Sequence, residues 1–314
     1  MVCEGEHVRF AFIRDLAAEQ SGKPRNERIP LALMCEVLEV SRGGYYAWEK
    51  RTPSAHQLAD EELSQHIVAL HRAHEGRLGI ERMVVELAKA GDHHSPKRVR
   101  RLARAAGLES VHPRPYKTTT IRDKSRQGGL IDLVERDFVP DGPDEIWYTD
   151  ITYIRTWAGW AYLAVILDGH TREVVGQALA GHMRTSLVTD ALKDAITRRR
   201  PPIGQCVIHS DRGSQYTSSE FRNLAFANGI IPSVGHTGIC YDNAMAESFN
   251  ATFKKELIHL HTWPSITKLR TAVFDYIETY YNRRRPHSAL GGLTPHEKGE
   301  QTRPQLDTHA LHAA

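Results

Sequence analysis

Apolar residues recur along this chain in two rhythms. Up to about residue 110 they come in short helical groups separated by turns. The stretch "LALMCEVLEVSRGGYYAWEKR" (31–51) predicts two short helices, with Ser41 capping the second. After "TPS" follow "DEELSQHIVALHRAH", "GIERMVVELAKAG" and "SPKRVRRLARAAGL", the last opened by a Ser95-Pro96 cap and stopped by Gly107. On that helix Val99, Leu102, Ala103 and Ala106 predict an inward face, and Lys97, Arg101 and Arg104 an outward one.

From residue 144 the rhythm becomes that of strands. "EIWYTDITYIRT" (145–156), "WAYLAVILDGH" and "TREVVGQALAG" predict an antiparallel meander. A helix ("SLVTDALKDAITRRR"), a strand ("QCVIHSD"), a helix near "SSEFRNLAFANG", a strand ("IIPSVG") and a helix starting near Asn243 follow. This is the order of an α/β, ribonuclease H-like mixed sheet of five strands with helices, preceded by a helical, helix-turn-helix-like region. The expected divisions are a helix-turn-helix-like segment over 1–55, a helical DNA-binding region over 56–110 and a linker over 111–143. The catalytic core over 144–258, a basic helical extension over 259–300 and a disordered tail over 301–314 complete the plan. Pro113, Pro115, Pro140, Pro143 and the Gly128-Gly129 pair mark the linker, around the insert "LIDLVERDFV".

Composition narrows the setting. The 314 residues are 40% hydrophobic, enough for a sizeable core, and no run approaches the roughly 18 apolar residues of a membrane span. With no signal-peptide pattern at the N-terminus, the expected location is cytoplasmic. Cys3, Cys35, Cys206 and Cys240 form no C-x-x-C pair, which argues against a disulfide framework and a zinc ribbon. Net charge is only +3, yet ten Lys or Arg stand against Glu109 and Asp123 between Lys97 and Arg126. That block predicts a polyanionic partner. On these residues alone, a DNA-reading helix and a solvated basic face carry equal weight.

Three acids occupy awkward places. Asp150 interrupts a strand and shares a face with Ile146, Tyr148, Thr152 and Ile154. Asp211 ends the strand "CVIHSD", where α/β sheets gather ligands. Glu247 lies early in "NAMAESFNATFKKEL", whose apolar stripe is Ala246, Phe249, Phe253, Leu257 and Leu260, with Glu247, Asn250 and Lys254 as a polar row on its border. Convergence of three carboxylates is costly unless cations neutralise them, and Mg²⁺ or Mn²⁺, as a pair of ions, suits oxygen ligands and phosphoryl chemistry. Taken singly, Asp211 could cap a loop and Glu247 could favour a helix N-terminus.

The segments "WYTDITYI", "HSDRGSQYTS", "GICYDNAMAESFNATFKKEL" and "YNRRRPHSALGGLTP", in this order, resemble the second-reading-frame protein of bacterial insertion-sequence transposases of the IS-three family. Thirty-five residues separate Asp211 from Glu247, as in the D-x35-E pattern of integrase-like cores, and Lys254 stands seven beyond the glutamate. Upstream, "VSRGGYYAWEKR" and "GIERMVVELAKAGDHHSPKRVRRLARAAGL" are similar to the family's leader, so the resemblance covers about residues 30 to 297.

The resemblance implies Mg²⁺-dependent nicking at element ends and strand transfer by a 3′-hydroxyl, with Asp150, Asp211 and Glu247 as catalytic metal ligands and Lys254 as a DNA contact. It also implies double-stranded DNA as substrate, assembly of several copies on DNA, and an upstream-frame helix-turn-helix and leucine-zipper protein as partner or fusion. His93 and His94 have no C-x-x-C downstream, so no zinc module is expected. Further expected DNA contacts are Lys97, Arg98, Arg101 and Arg104 on the basic helix, Gln215 near Asp211, and Arg283 and Arg284. Loop-forming roles are the default for Gln215 and Tyr216 over positioning DNA, and for the run Arg283, Arg284, Arg285 a phosphate-contacting patch and a solvated helix end carry equal weight. Asp168 is expected in a turn, Asp242 and Asn243 in a helix cap, and His66, His71 and His74 at the surface. A metal-dependent nuclease and a DNA-binding protein without catalysis are the competing readings.

Overall fold

The structure, a computed structural model, describes residues 3–111, 140–235 and 244–302. Most of the proline-marked linker, its apolar insert, five of the ten clustered cations, the pair Asp242 and Asn243, and residues 303–314 lie outside these limits. The chain forms two compact units, Met1–Gln65 and His66–Ala314.

The first unit contains α1 (Cys3–Glu19), α2 (Leu31–Val37) and α3 (Arg42–Glu49). Phe10 and Ile13 of α1 meet Met34, Cys35 and Tyr45 in one small apolar cluster. Ser41 caps α3 as its sequence predicts, its hydroxyl accepting the Gly44 N–H at 2.9 Å. Helix α4 (Ala55–Ala73) carries the chain across the boundary.

The second unit continues with α5 (Ile80–Lys89) and α6 (Pro96–Ala105). Ser95 caps α6, whose Val99, Leu102 and Ala103 are buried while Lys97, Arg101 and Arg104 are exposed. Ala106 departs from the predicted inward face, because the helix ends there and leaves it exposed. The three histidines also differ from expectation in part: His66 meets Asp92 at 2.8 Å at the surface, but His74 is buried against Tyr280. Burial, helped by Arg284, Arg77 and Lys89, lowers the His74 imidazole to about 4, so it is neutral at physiological pH.

The sheet has the strand order β3-β2-β1-β4-β5, with β1 (Ile146–Thr156), β2 (Gly159–Asp168), β3 (Val174–Ala180), β4 (Val207–Ser210) and β5 (Ile231–Val234). The first three strands form the expected antiparallel meander, and β4 and β5 join parallel to β1. One face is covered by α7 (Thr185–Arg199) and α8 (Ser219–Ala227), which bury Trp147, Ile166 and Ile208 with Leu187, Leu192 and Phe221. Helix α7 packs so closely that a Cβ on Gly176 would lie 2.4 Å from the Ala191 carbonyl oxygen.

The other face carries α9 (Ala244–Glu256) and α10 (Ile266–Asp275) with its π-helical continuation Tyr276–Tyr281; α11 (Pro295–Thr302) ends the described chain. Phe249 and Phe253 of α9, Leu269 and Val273 of α10, and Tyr276, Ile277, Tyr280 and Tyr281 enter one cluster with Tyr148, Ile154, Leu163 and Val165. Each such aromatic or aliphatic side chain stabilises by roughly 1.5–3 kcal/mol on burial. Residues beyond 258 therefore complete the core of the sheet. Leu260, read from the sequence as part of the α9 stripe, lies past the end of the helix and is 45% exposed.

Candidate active site

Strands β1 and β4 pair only over Ile146–Tyr148 and Val207–His209. Asp150 stands two residues beyond the last paired position of β1, and Asp211 one residue beyond the end of β4. Asp150 thus sits mid-strand in β1, just past the point where β1 parts from β4, and Asp211 follows the carboxyl end of β4, where ligands gather in open α/β sheets. Alternation turns Asp150 towards the face covered by α9, as predicted, and there the Asn250 side-chain amide donates to its Oδ2 at 2.8 Å. The sequence shows Asn250 in the polar row of α9; the structure makes it the direct partner of Asp150.

Burial pushes the Asp150 carboxyl up to about 7, with the negative charges of Asp211 and, more weakly, Glu247 adding to the effect. Hydrogen bonds from the Ile151 backbone and Asn250 oppose it without cancelling it. Asp211 is exposed and accepts the Gly213 N–H at 2.9 Å. Glu247 lies exposed in the first turn of α9, its carboxyl raised by partial burial. Among the described residues no ion pair reaches any of the three, and no three His, Cys, Asp or Glu side chains stand close enough to hold a metal ion as they are.

Lys254, one helical turn beyond Asn250, places its Nζ 4.6 Å from the centre of the Tyr153 ring. Burial lowers its ammonium while the charge of Asp150 works in the opposite sense. Tyr216 is fully buried, its hydroxyl 3.2 Å from Thr149 Oγ1, and burial with the charge of Asp150 holds it well above the usual phenol range. It packs in the core on the α7 and α8 side of the sheet, opposite the side Asp150 faces, which corrects its reading as a DNA-positioning side chain. Its neighbour Gln215 is half-buried and donates to the Met183 carbonyl at 3.1 Å.

The matches to known proteins agree with this architecture. A family model described as "Integrase core domain" matches residues 140–240, a second of the same description matches 228–295, and an "HTH-like domain" model matches 57–116. The "Transposase InsF for insertion sequence IS3A" of Escherichia coli (strain K12) is 35% identical over 292 residues, 92% of this chain and 98% of the relative. The chain belongs to the IS-three family of insertion-sequence transposases. A second relative, the "Insertion element IS600 uncharacterized 31 kDa protein" of Shigella sonnei, is 36% identical over 262 residues, 83% of this chain and 96% of its own length. Among solved structures, a simian T-cell lymphotropic virus intasome in complex with PP2A regulatory subunit B56 gamma matches at a TM-score of 0.43 and 18% identity, covering 76% of each chain, a likeness too weak to bear on the site.

Other polar residues of this transposase have structural work. Asp168 is wholly buried and accepts from the Thr171 and Asp144 backbone N–H groups at 2.7 and 2.6 Å, the turn role expected of it. Arg199, whose side chain is 5% exposed, ties together Asp144, Glu173 and Asp168. The arginine run divides. Arg283 and Arg284 are exposed, with Arg284 donating to the Ala73 carbonyl at the end of α4, whereas Arg285 is buried and pairs with both oxygens of Glu256. Arg285 is therefore removed from the expected surface cations. Of the described helices, none is long and apolar enough to cross a membrane.

Proposed function

We propose that Asp150, Asp211 and Glu247 form one metal-dependent centre at which this transposase nicks DNA at the ends of its element and joins the released 3′-hydroxyl to target DNA. The observation that carries the reading is a buried carboxyl, Asp150, held by the sheet near the charge of Asp211 with no cation among the described residues ion-paired to either. The donor set is all oxygen, which suits Mg²⁺ or Mn²⁺. The buried Asn250 Oδ1 also finds no hydrogen-bond partner among the described residues, a further oxygen left open beside Asp150. Bound as a pair, such ions would activate the attacking oxygen and stabilise the leaving one.

The side chains divide the remaining work. Asp150 must lose its proton to act as a ligand, and the Asn250 amide holds the carboxylate oriented towards α9 while it does so. Tyr216 and Thr149, buried against each other on the opposite face of β1, brace the strand that carries Asp150. Lys254 is set to contact DNA near the scissile phosphate, and Gln215 to line its path beside Asp211. In the joining step a 3′-oxygen bonds to a target phosphorus as the target's own 3′-oxygen leaves, so no covalent enzyme intermediate is required. Lys97, Arg98, Arg101 and Arg104 on α6, with Arg283 and Arg284, would contact double-stranded DNA. Several copies assembled on the element ends, together with an upstream-frame helix-turn-helix and leucine-zipper protein, complete the reading.

Labelled element ends, target plasmid and Mg²⁺ incubated with purified protein, with and without the upstream protein, test it. Joined product is expected; cleavage without joining would indicate a nuclease, and binding alone a DNA-binding protein. Asp150→Asn should abolish both chemical steps and leave DNA binding intact.

A further inference from the structure

Three arginines outside the catalytic reading gather on the flank of α9. Arg82, Arg172 and Arg285 line a cavity of about 140 Å³ together with the hydroxyl-bearing residues Ser248, Thr252 and Ser288. Ser248 directly follows Glu247 on the helix, and Thr252 lies one turn further on. Among the described residues a single acid, Glu256, answers these three guanidinium groups. It accepts from Arg285 through both oxygens at 2.8 to 3.1 Å and from the Tyr276 hydroxyl at 2.9 Å, and it stands 3.7 Å from Arg82. Arg172 has no side-chain hydrogen bond or ion pair among the described residues. His287, beside Arg285 at 3.2 Å, supplies no positive charge of its own, because burial and the three arginines hold its imidazole neutral.

Among the described residues the cavity therefore carries an excess of two positive charges, its one answering acid, Glu256, being already engaged. It has room for several atoms, a water taking about 30 Å³ in the liquid. Guanidinium forks and hydroxyl donors around such a space match the planar and tetrahedral oxygens of a phosphate group. We propose that this cavity holds a phosphodiester of the DNA backbone, with Arg172 as the principal contact. The assignment to DNA rests on the function proposed above: a duplex presented to Glu247 runs along the same helix, and α9 carries both sites. The larger cavity near Trp263 differs in kind, since its Arg77 is already paired with Glu75 at 2.7 Å and Asp275 also lines it.

The test uses the full chain and a labelled duplex, either an element end or an unrelated sequence, with affinity measured across a range of salt concentrations. Arg172→Gly removes the guanidinium without straining the turn, because φ at this position is +63°. Thr252→Val removes one hydroxyl at nearly constant shape. Arg172→Gly is expected to weaken binding to both duplexes alike and to reduce the slope of log affinity against log salt by about 0.9, the loss of one phosphate contact. Arg172→Lys should restore the slope. Thr252→Val should weaken both duplexes without changing it. If wild type binds DNA and Arg172→Gly binds it with the same affinity and slope, the proposal is overturned while the catalytic reading stands. Failure of wild type to bind either duplex, with the upstream protein present, would remove both.

Discussion

Asp150 is a buried carboxyl in the middle of β1, partnered by the Asn250 side-chain amide. Strand-forming types flank it on both sides, so its presence in β1 and the face it shares were legible without coordinates. Its environment was not. Asn250 lies 100 positions away, and only the packing of α9 on β1 brings the two together. Tyr216, in a Gly- and Ser-rich loop, reads as exposed until β4 pairs with β1 and places it under Thr149. The raised carboxyl of Asp150 has a consequence for stability. Its folded value of about 7 exceeds the ordinary 3.8, so the folded protein holds this proton more tightly than the unfolded chain. This contribution is full below about pH 4 and is lost as pH rises through 7. In EDTA at pH 8, Asp150→Asn should therefore melt above wild type by at least about 2 °C, since ~1 kcal/mol shifts Tm by roughly 2–4 °C in domains of 150–250 residues. The gap should close towards pH 4, and Mg²⁺ should raise the Tm of wild type at pH 8 but not of the variant. Equal melting curves at pH 8 would show that Asp150 carries no such strain.

At the scale of elements, α9 links chemistry to core. One side bears Glu247, Asn250 and Lys254, and the other buries Phe249 and Phe253. Its last residue, Glu256, anchors the turn after the π-helical segment, where the N–H groups of Arg284 and Arg285 both donate to the Tyr280 carbonyl. That turn sends Arg283 and Arg284 outward and Arg285 inward, a division three identical letters cannot display. Arg285→Ala leaves Glu256 buried without its main cation and should cost about 3–5 kcal/mol, read by urea unfolding. The double variant Glu256→Met with Arg285→Met should recover most of that loss. A single variant as stable as wild type would assign the pair a minor part in holding α9. The amphipathic stripe of α9 was legible because its period is local, and only the terminal Leu260, past the helix end, misled.

For the whole molecule, the order of elements in the second unit was legible down to the meander and the two parallel additions. The role of the C-terminal part was not. Its basic run suggested an extension, yet Trp263, Leu269, Val273, Tyr276 and Ile277 fill the same apolar cluster as Tyr148 and Leu163, and only the tertiary arrangement shows it. Truncation after residue 258 should accordingly abolish cooperative unfolding in calorimetry and leave insoluble protein, whereas a chain retaining 259–302 should melt as wild type does.

The central claim is that three carboxylates act as one centre. Joining of labelled element ends to target plasmid, with Mg²⁺ and the upstream protein, should be compared for wild type, Asp150→Asn, Asp211→Asn, Glu247→Gln and the triple variant. Residues that act as a unit are lost together, so each single variant should fall to the level of the triple one while still retarding the end duplex. Wild-type joining by any one of the three single variants would contradict the account.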